Sequence, residues 1–230
     1  MMNTEAMAVP AVHQGRLADY LAISKPRLNF LVVATAAAGY YLGDTGEANW
    51  GRAVSAIAGT ALVAAGASAL NQVSERRTDR LMERTRRRPL ADGRLAVREG
   101  IAFAAVTSVL GLALLAAGAN VLSAFVAFAT LVTYVGIYTP LKPLTSFATV
   151  VGAVPGALPP MIGWAAATGE LTREAWVLFA IVFLWQMPHF LAIAWLYRED
   201  YARAGFPLLP VTEPDGRSTA RQVLAYGTVL

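Results

Sequence analysis

Six uncharged stretches, each of the order of a membrane-crossing length, constrain this chain more than any other feature. They occupy residues 28–43, 53–70, 100–119, 121–141, 143–169 and 175–196. A helix needs about 20 apolar residues to cross the hydrocarbon core of a bilayer. The stretches are rich in Ala, Gly, Leu and Val, which suits helix–helix packing in lipid. A membrane β-barrel would instead show alternating segments of about 10 residues, and nothing in the chain alternates in that way. The expected fold is therefore all-α, a multispanning transmembrane helix bundle.

A seventh apolar stretch begins near Val223 and is cut at Leu230. We expect six full spans plus the start of a seventh, that is, a bundle truncated at its C-terminal side. Residues 1–26 read as a cytoplasmic N-terminal segment and 27–230 as the transmembrane domain. That leading segment holds Arg16, Asp19 and Lys25 and no apolar run, so no cleavable signal peptide is expected. His13, in the same hydrophilic tail, reads as incidental.

Composition narrows the classes further. The chain is 56% hydrophobic and 15% charged, against about 45–50% apolar and about 25% charged in soluble domains. That surplus excludes a soluble globular enzyme, a disordered chain and a low-complexity fibre. With no cysteine, disulfides, thiolate nucleophiles and Cys-ligated metals are excluded as well. The net charge of +4 fits a positive-inside membrane protein better than a nucleic-acid partner. Seventeen of the nineteen Lys and Arg residues fall on one side of the alternating spans, and only Arg52 and Arg173 on the other. The split places the N-terminus and the basic loops in the cytoplasm.

Nine of those basic residues crowd between Arg76 and Arg98, directly after the second span. There Asn71, Glu75 and Asp79 recur at every fourth position, on one face of a continuing helix. An amide and two carboxylates at the mouth of a membrane bundle are donors for a hard cation. Mg²⁺ typically takes one or two carboxylates, waters and substrate phosphate oxygens. The arginines that follow, Arg84, Arg86, Arg87 and Arg88, carry forks suited to phosphate. A salt-bridged helix with a positive-inside loop would account for the charges alone. It does not account for Asn71, a polar amide at the end of an apolar helix, where such groups are costly.

A second polar cluster follows the sixth span: Tyr197, Glu199, Asp200, Tyr201 and Arg203. Alone it reads as an aromatic belt with charges; paired with the first, it could close a diphosphate site from the opposite side. His189, within the sixth span, reads either as a hydrogen-bonded packing residue or as a functional one. Met161, Met187 and the tryptophans Trp164, Trp176, Trp185 and Trp195 read as packing and interface anchors. Pro155, Pro159 and Pro160 break the fifth span, as a packing kink or as a cavity wall.

On these residues the chain resembles the UbiA superfamily of intramembrane prenyltransferases, and within it the branch that farnesylates haem. The resemblance runs through Lys25-Pro26-Arg27, Asn71-Gln72, Glu75, Asp79, Met82, Arg84-Thr85 and Arg88-Pro89-Leu90. It continues through Tyr138-Thr139-Pro140-Leu141-Lys142, Pro159-Pro160, Gly163-Trp164, Trp185-Gln186, Pro188-His189-Phe190, Tyr197, Asp200-Tyr201 and Ala204-Gly205. These residues come in the superfamily's order, from about residue 20 to 212. Three departures stand out. Glu75 replaces the superfamily's usual Asp, as suits the haem branch. Tyr197 and Tyr201 occupy the positions of a usual pair of Asp, so a second metal at that cluster loses its ligand pair. Pro143 stands where the haem branch usually has a basic residue.

The resemblance implies a bundle of about nine spans and transfer of the farnesyl group of farnesyl diphosphate to a vinyl group of haem b. It implies Mg²⁺ on Asn71, Glu75 and Asp79, with the diphosphate held by Lys25, Arg27, Arg84, Arg88, Lys142, Tyr197, Asp200 and Tyr201. His189 would position haem or handle a proton. It further implies a bacterial cytoplasmic (inner) membrane, with the active-site loops cytoplasmic, and a downstream haem A synthase or terminal oxidase assembly. Two other readings stay open: a prenyltransferase with a quinone-precursor or chlorophyll-type acceptor, and a non-catalytic haem transport or assembly protein. The latter predicts an inverted repeat, and no convincing repeat relates the two halves.

Overall fold

The longest helix starts where the sequence caps it. The Asn49 side-chain oxygen accepts the Arg52 N–H at 3.0 Å, satisfying a donor that the first helical turn leaves free. From there the chain runs as one helix over Trp50–Asp79, 30 residues or about 45 Å. The computed structural model describes residues 15–46 and 49–230; His13 lies outside them. Among the described residues every regular element is helical.

In chain order the helices are α1 (Arg16–Ile23), α2 (Pro26–Gly43), α3 (Trp50–Asp79), α4 (Pro89–Asp92), α5 (Val97–Gly118) and α6 (Val121–Val132). A wider π-helical segment, Thr133–Tyr138, continues α6 into α7 (Thr139–Leu141). Then come α8 (Ala148–Ala157), α9 (Pro159–Thr168), α10 (Arg173–Leu196), α11 (Arg198–Arg203), α12 (Leu209–Thr212) and α13 (Arg217–Val229).

All six expected spans are helical. Five of the resulting helical stretches are long and apolar enough to cross a membrane; the other, α2, has 18 residues. The seventh apolar stretch lies in α13. Large apolar side chains such as Phe30, Val109, Phe125 and Trp176 stand exposed on the outside of the bundle. In water this would be a liability; in a bilayer those faces meet acyl chains.

Small residues bring the helices together. A Cβ on Gly111 of α5 would lie 2.7 Å from the Gly59 carbonyl oxygen of α3. Cβ atoms on Gly39 of α2 and Gly163 of α9 would collide with the carbonyl oxygens of Pro160 and Ala36. Close backbone approach of this kind replaces the hydrophobic drive that lipid removes. Val63, Leu115, Val126, Met161 and Ile162 fill the centre, and Met187 is likewise buried.

The prolines of the fifth span break it between α8 and α9, at Leu158. Pro155, Pro159 and Pro160 are all buried. The break packs against α2 through Pro160 and against α10 through Gly156, which abuts the Gln186 side chain. The packing reading of these prolines is the one the structure supports.

Candidate active site

The buried stripe of α3 begins with small residues, Ala53, Ala56, Thr60 and Val63, and runs on into Asn71, Gln72, Glu75 and Asp79. The helical period thus carries one face from the lipid interior to a polar end. A cavity of about 90 Å³ opens there, lined by Lys25, Asn71, Glu75, Asp79, Met82, Arg84, Arg88, Tyr134, Tyr138 and Lys142.

Each of the three oxygen donors on α3 meets a cation from a different segment. Lys25, in the turn between α1 and α2, donates to Asn71 Oδ1 at 3.0 Å. Lys142, just after α7, donates to Glu75 Oε1 at 3.1 Å. Arg88, at the entry to α4, lies 2.9 Å from both oxygens of Asp79. Asp79 itself is 1% exposed. Buried carboxylates require such partners, because an unpaired charge away from water is very costly.

The π-helical segment supplies the opposite wall. Its Tyr134 and Tyr138 rings stack with centroids 5.6 Å apart. The Thr139 hydroxyl donates to the Tyr134 carbonyl at 2.8 Å and accepts from Asn71 Nδ2 at 3.3 Å. That contact turns the Asn71 amide so that its oxygen faces Lys25. Local widening of this kind recurs at functional sites.

After α3 the chain folds back over its own end, with the Thr85 hydroxyl donating to the Asp79 carbonyl at 2.9 Å. Asp200 of α11 clasps this turn, accepting the Glu83 and Arg84 backbone N–H groups at 3.2 and 3.3 Å and pairing with Arg203. The Arg84 guanidinium lies 5.0 Å from the centre of the Tyr197 ring. Lys142 sits 5.9 Å from the Tyr201 ring and 4.7 Å from that of Phe206. Tyr201 and Phe206 pack with Met82 and Ala204 in a small core of their own.

Charge is unevenly distributed here. Burial, helped by Arg88 and Lys142, pulls the Lys25 ammonium down to about 7, although Glu75 and Asp79 work the other way. Burial also disfavours charge on Lys142, yet the Tyr138, Glu75 and Tyr201 oxygens hold it above its ordinary value. For Asp200, burial pushes upward but is outweighed by Arg203 and the Arg84 and Glu83 N–H groups, leaving the carboxyl below its ordinary range. Arg84, Arg88 and Lys142, with Lys25 beside them, outnumber the two carboxylates and make this a cavity suited to an anion.

Seven of the expected site residues therefore converge: Lys25, Asn71, Glu75, Asp79, Arg84, Arg88 and Lys142. The others stand apart from the lining. Arg27 is exposed on α2. Asp200 serves the turn, with Tyr197 and Tyr201 behind Arg84 and Lys142. His189 is exposed on α10 and stacked on Trp185, centroids 5.1 Å apart. Met82, Tyr134 and Tyr138 line the cavity without having been expected there. The four-residue spacing Tyr134–Tyr138–Lys142 was the available signal.

The oxygen donors fit a hard divalent ion, but not a closed protein cage. Among the described residues no three His, Cys, Asp or Glu side chains converge. An amide and two carboxylates leave most positions to water and to phosphate oxygens, which is how Mg²⁺ is usually held.

The UbiA prenyltransferase family model matches residues 32–230. A protoheme IX farnesyltransferase of Solibacter usitatus (strain Ellin6076) is 49% identical over 221 residues, covering 92% of this chain and 76% of the relative. That of Koribacter versatilis (strain Ellin345) is 43% identical over 232 residues, covering 99% and 74%. Among solved structures, a UbiA homologue from Archaeoglobus fulgidus bound to GPP and Mg²⁺ superposes with a TM-score of 0.75 at 20% identity, covering 92% of this chain and 74% of that one. An apo UbiA homologue from Aeropyrum pernix K1 gives 0.73 at 22%, covering 87% and 74%. At these identities the structural likeness speaks for the fold.

Proposed function

The chain belongs to the UbiA prenyltransferase family, and we propose that it transfers the farnesyl group of farnesyl diphosphate to a vinyl group of haem b, giving haem O and diphosphate. The relatives just described bear the name of that activity. One observation carries the site assignment. Three oxygen donors on a single helix face and four basic side chains from three segments meet in one cavity beside two tyrosine rings.

The hard step is breaking the allylic C–O bond. The electron pair leaves with diphosphate, and the farnesyl C1 becomes an allylic cation. Preorganised positive charge at the leaving oxygens lowers this barrier most. Lys25, Arg84, Arg88 and Lys142 bind and orient the diphosphate. Asn71, Glu75 and Asp79 would hold Mg²⁺, which adds charge neutralisation at the phosphate oxygens. The faces of Tyr134 and Tyr138 offer π density to the cation. Attack by the terminal vinyl carbon forms the new C–C bond, and water adds at the neighbouring carbon with loss of a proton, leaving a hydroxyethylfarnesyl group. The apolar bundle keeps water from quenching the cation earlier.

His189, on the outer face of α10, acts on the haem side of the reaction, positioning haem or handling that proton. The protein lies in the cytoplasmic (inner) membrane with this cavity on the cytoplasmic side, and its product feeds a haem A synthase or terminal oxidase assembly. The test is direct: purified protein with haem b, farnesyl diphosphate and Mg²⁺ yields haem O by mass spectrometry. Failure with haem, together with prenylation of an aromatic quinone precursor, would move the assignment to another acceptor.

A further inference from the structure

Lys25 is the one non-glycine residue with positive φ among the described residues, at φ 49° and ψ 59°. The position is doubly awkward. A side chain there crowds the backbone, and a residue before proline, here Pro26, is ordinarily extended. Such a conformation persists only where its surroundings over-determine it.

The surroundings are two buried amides that serve nothing in the cavity. At the end of α1 the chain leaves carbonyls without helical partners. Gln72 Nε2 donates to the Ile23 carbonyl at 2.8 Å. Asn29 Nδ2 donates to the Ser24 carbonyl at 2.5 Å. Behind Asn29, the Ser68 hydroxyl donates to Asn29 Oδ1 at 3.3 Å. Gln72, Asn29 and Ser68 are all buried. Gln72 directly follows Asn71, whose oxygen receives the Lys25 ammonium. Helix α3 thus grips the turn at its backbone with one residue and at its side chain with the one before.

We propose that Gln72 and Asn29 are positioning residues: they lock the left-handed turn that delivers the Lys25 ammonium into the cavity, and they act on the diphosphate only through Lys25. This rests on the diphosphate-binding reading of Lys25. The rival is plain packing of α1 and α2 onto α3, which would make the amides matter equally whatever side chain stands at 25.

A double-mutant cycle on the full chain in lipid nanodiscs separates the two. The dissociation constant and KM for farnesyl diphosphate are measured with Mg²⁺ present. Gln72→Leu raises both about five- to tenfold, the worth of one hydrogen bond, with KM for haem unchanged. In a Lys25→Met background the same substitution shifts them by less than about twofold, the usual limit of additivity. Asn29→Ala reads the same turn from the other anchor, should Gln72→Leu fail to fold. An equal penalty in both backgrounds overturns the inference and makes the amides structural. If Lys25→Met by itself leaves farnesyl diphosphate binding unchanged, the Lys25 assignment falls, and this inference with it.

Discussion

Arg88 sets one guanidinium nitrogen 2.9 Å from both carboxylate oxygens of Asp79, nine residues back along the chain. The pair closes a turn that starts as α3 ends and finishes as α4 begins. It makes the turn part of the cavity wall, carrying Arg84 with it.

Arg88→Ala removes a diphosphate ligand and leaves a buried carboxylate unpaired. KM for farnesyl diphosphate should rise about 100-fold, the worth of a charge-assisted contact of roughly 3 kcal/mol, while KM for haem stays put. Steady-state kinetics with each substrate varied in turn checks this. A uniform fall in kcat with both KM values unchanged would take Arg88 out of diphosphate binding.

Glu75→Gln keeps the shape and a hydrogen-bond acceptor for Lys142 but removes the charge. Activity should fall by about 10²- to 10³-fold, as when one transition-state contact is lost, with membrane insertion intact. Haem O formation by mass spectrometry reads the first, and carbonate extraction of membranes reads the second. Full activity would remove the metal assignment.

Chelation with EDTA should abolish haem O formation, and added Mg²⁺ should restore it. Ca²⁺ should restore little, because it prefers more ligands at longer distances than this donor set offers. Titration of chelated protein with each ion in turn, followed by product, decides the matter.

Asp200 stabilises the Glu83–Arg84 turn as a carboxylate held below its ordinary range. That stabilisation is present above the unfolded carboxylate value of about 3.9 and is lost as pH falls through the lower folded value. Asp200→Asn should therefore melt below the parent protein at neutral pH, by about 1–3 kcal/mol of stability. The gap should close on acidification below about pH 4. Melting temperatures across pH test this; a gap that persists in acid would contradict it.

His189→Ala leaves an exposed position and one stacking contact, so stability should change by less than about 1 kcal/mol. The expected effect lies on the acceptor side: KM for haem rises, or kcat acquires a new pH dependence, with farnesyl diphosphate binding unchanged. Identical kinetics would return His189 to the packing reading.

The spans and the α3 column were legible in the sequence, because both depend on regularities a helix imposes. Uncharged length marks a span, and residues four apart share a face. What stayed hidden depends on how the chain turns. Nothing in the run from Arg84 to Arg88 says that Arg84 and Arg88 line the cavity while Arg86 and Arg87 border a separate surface pocket with Arg80. Asp200 looked like a ligand by its charge, but it spends that charge on backbone N–H groups. The prolines announced a break in the fifth span without naming Pro160 and Gly39 as the surfaces that meet there.

The π-helical segment Thr133–Tyr138 also has a consequence for phase. Along an ordinary α-helix, residues four apart drift about 40° around the axis at each step. Over Tyr134, Tyr138 and Lys142 that drift sums to about 80°, the same arc that Asn71, Glu75 and Asp79 span on α3. The widened turn takes up the drift and lines all three along one wall. It works as a built-in one-residue insertion, so deleting one residue there would let the segment rewind as ordinary α-helix and shift the tyrosine wall out of register, while Lys142 keeps its place beside Glu75. This wall is thus written in the count of residues as much as in their identity.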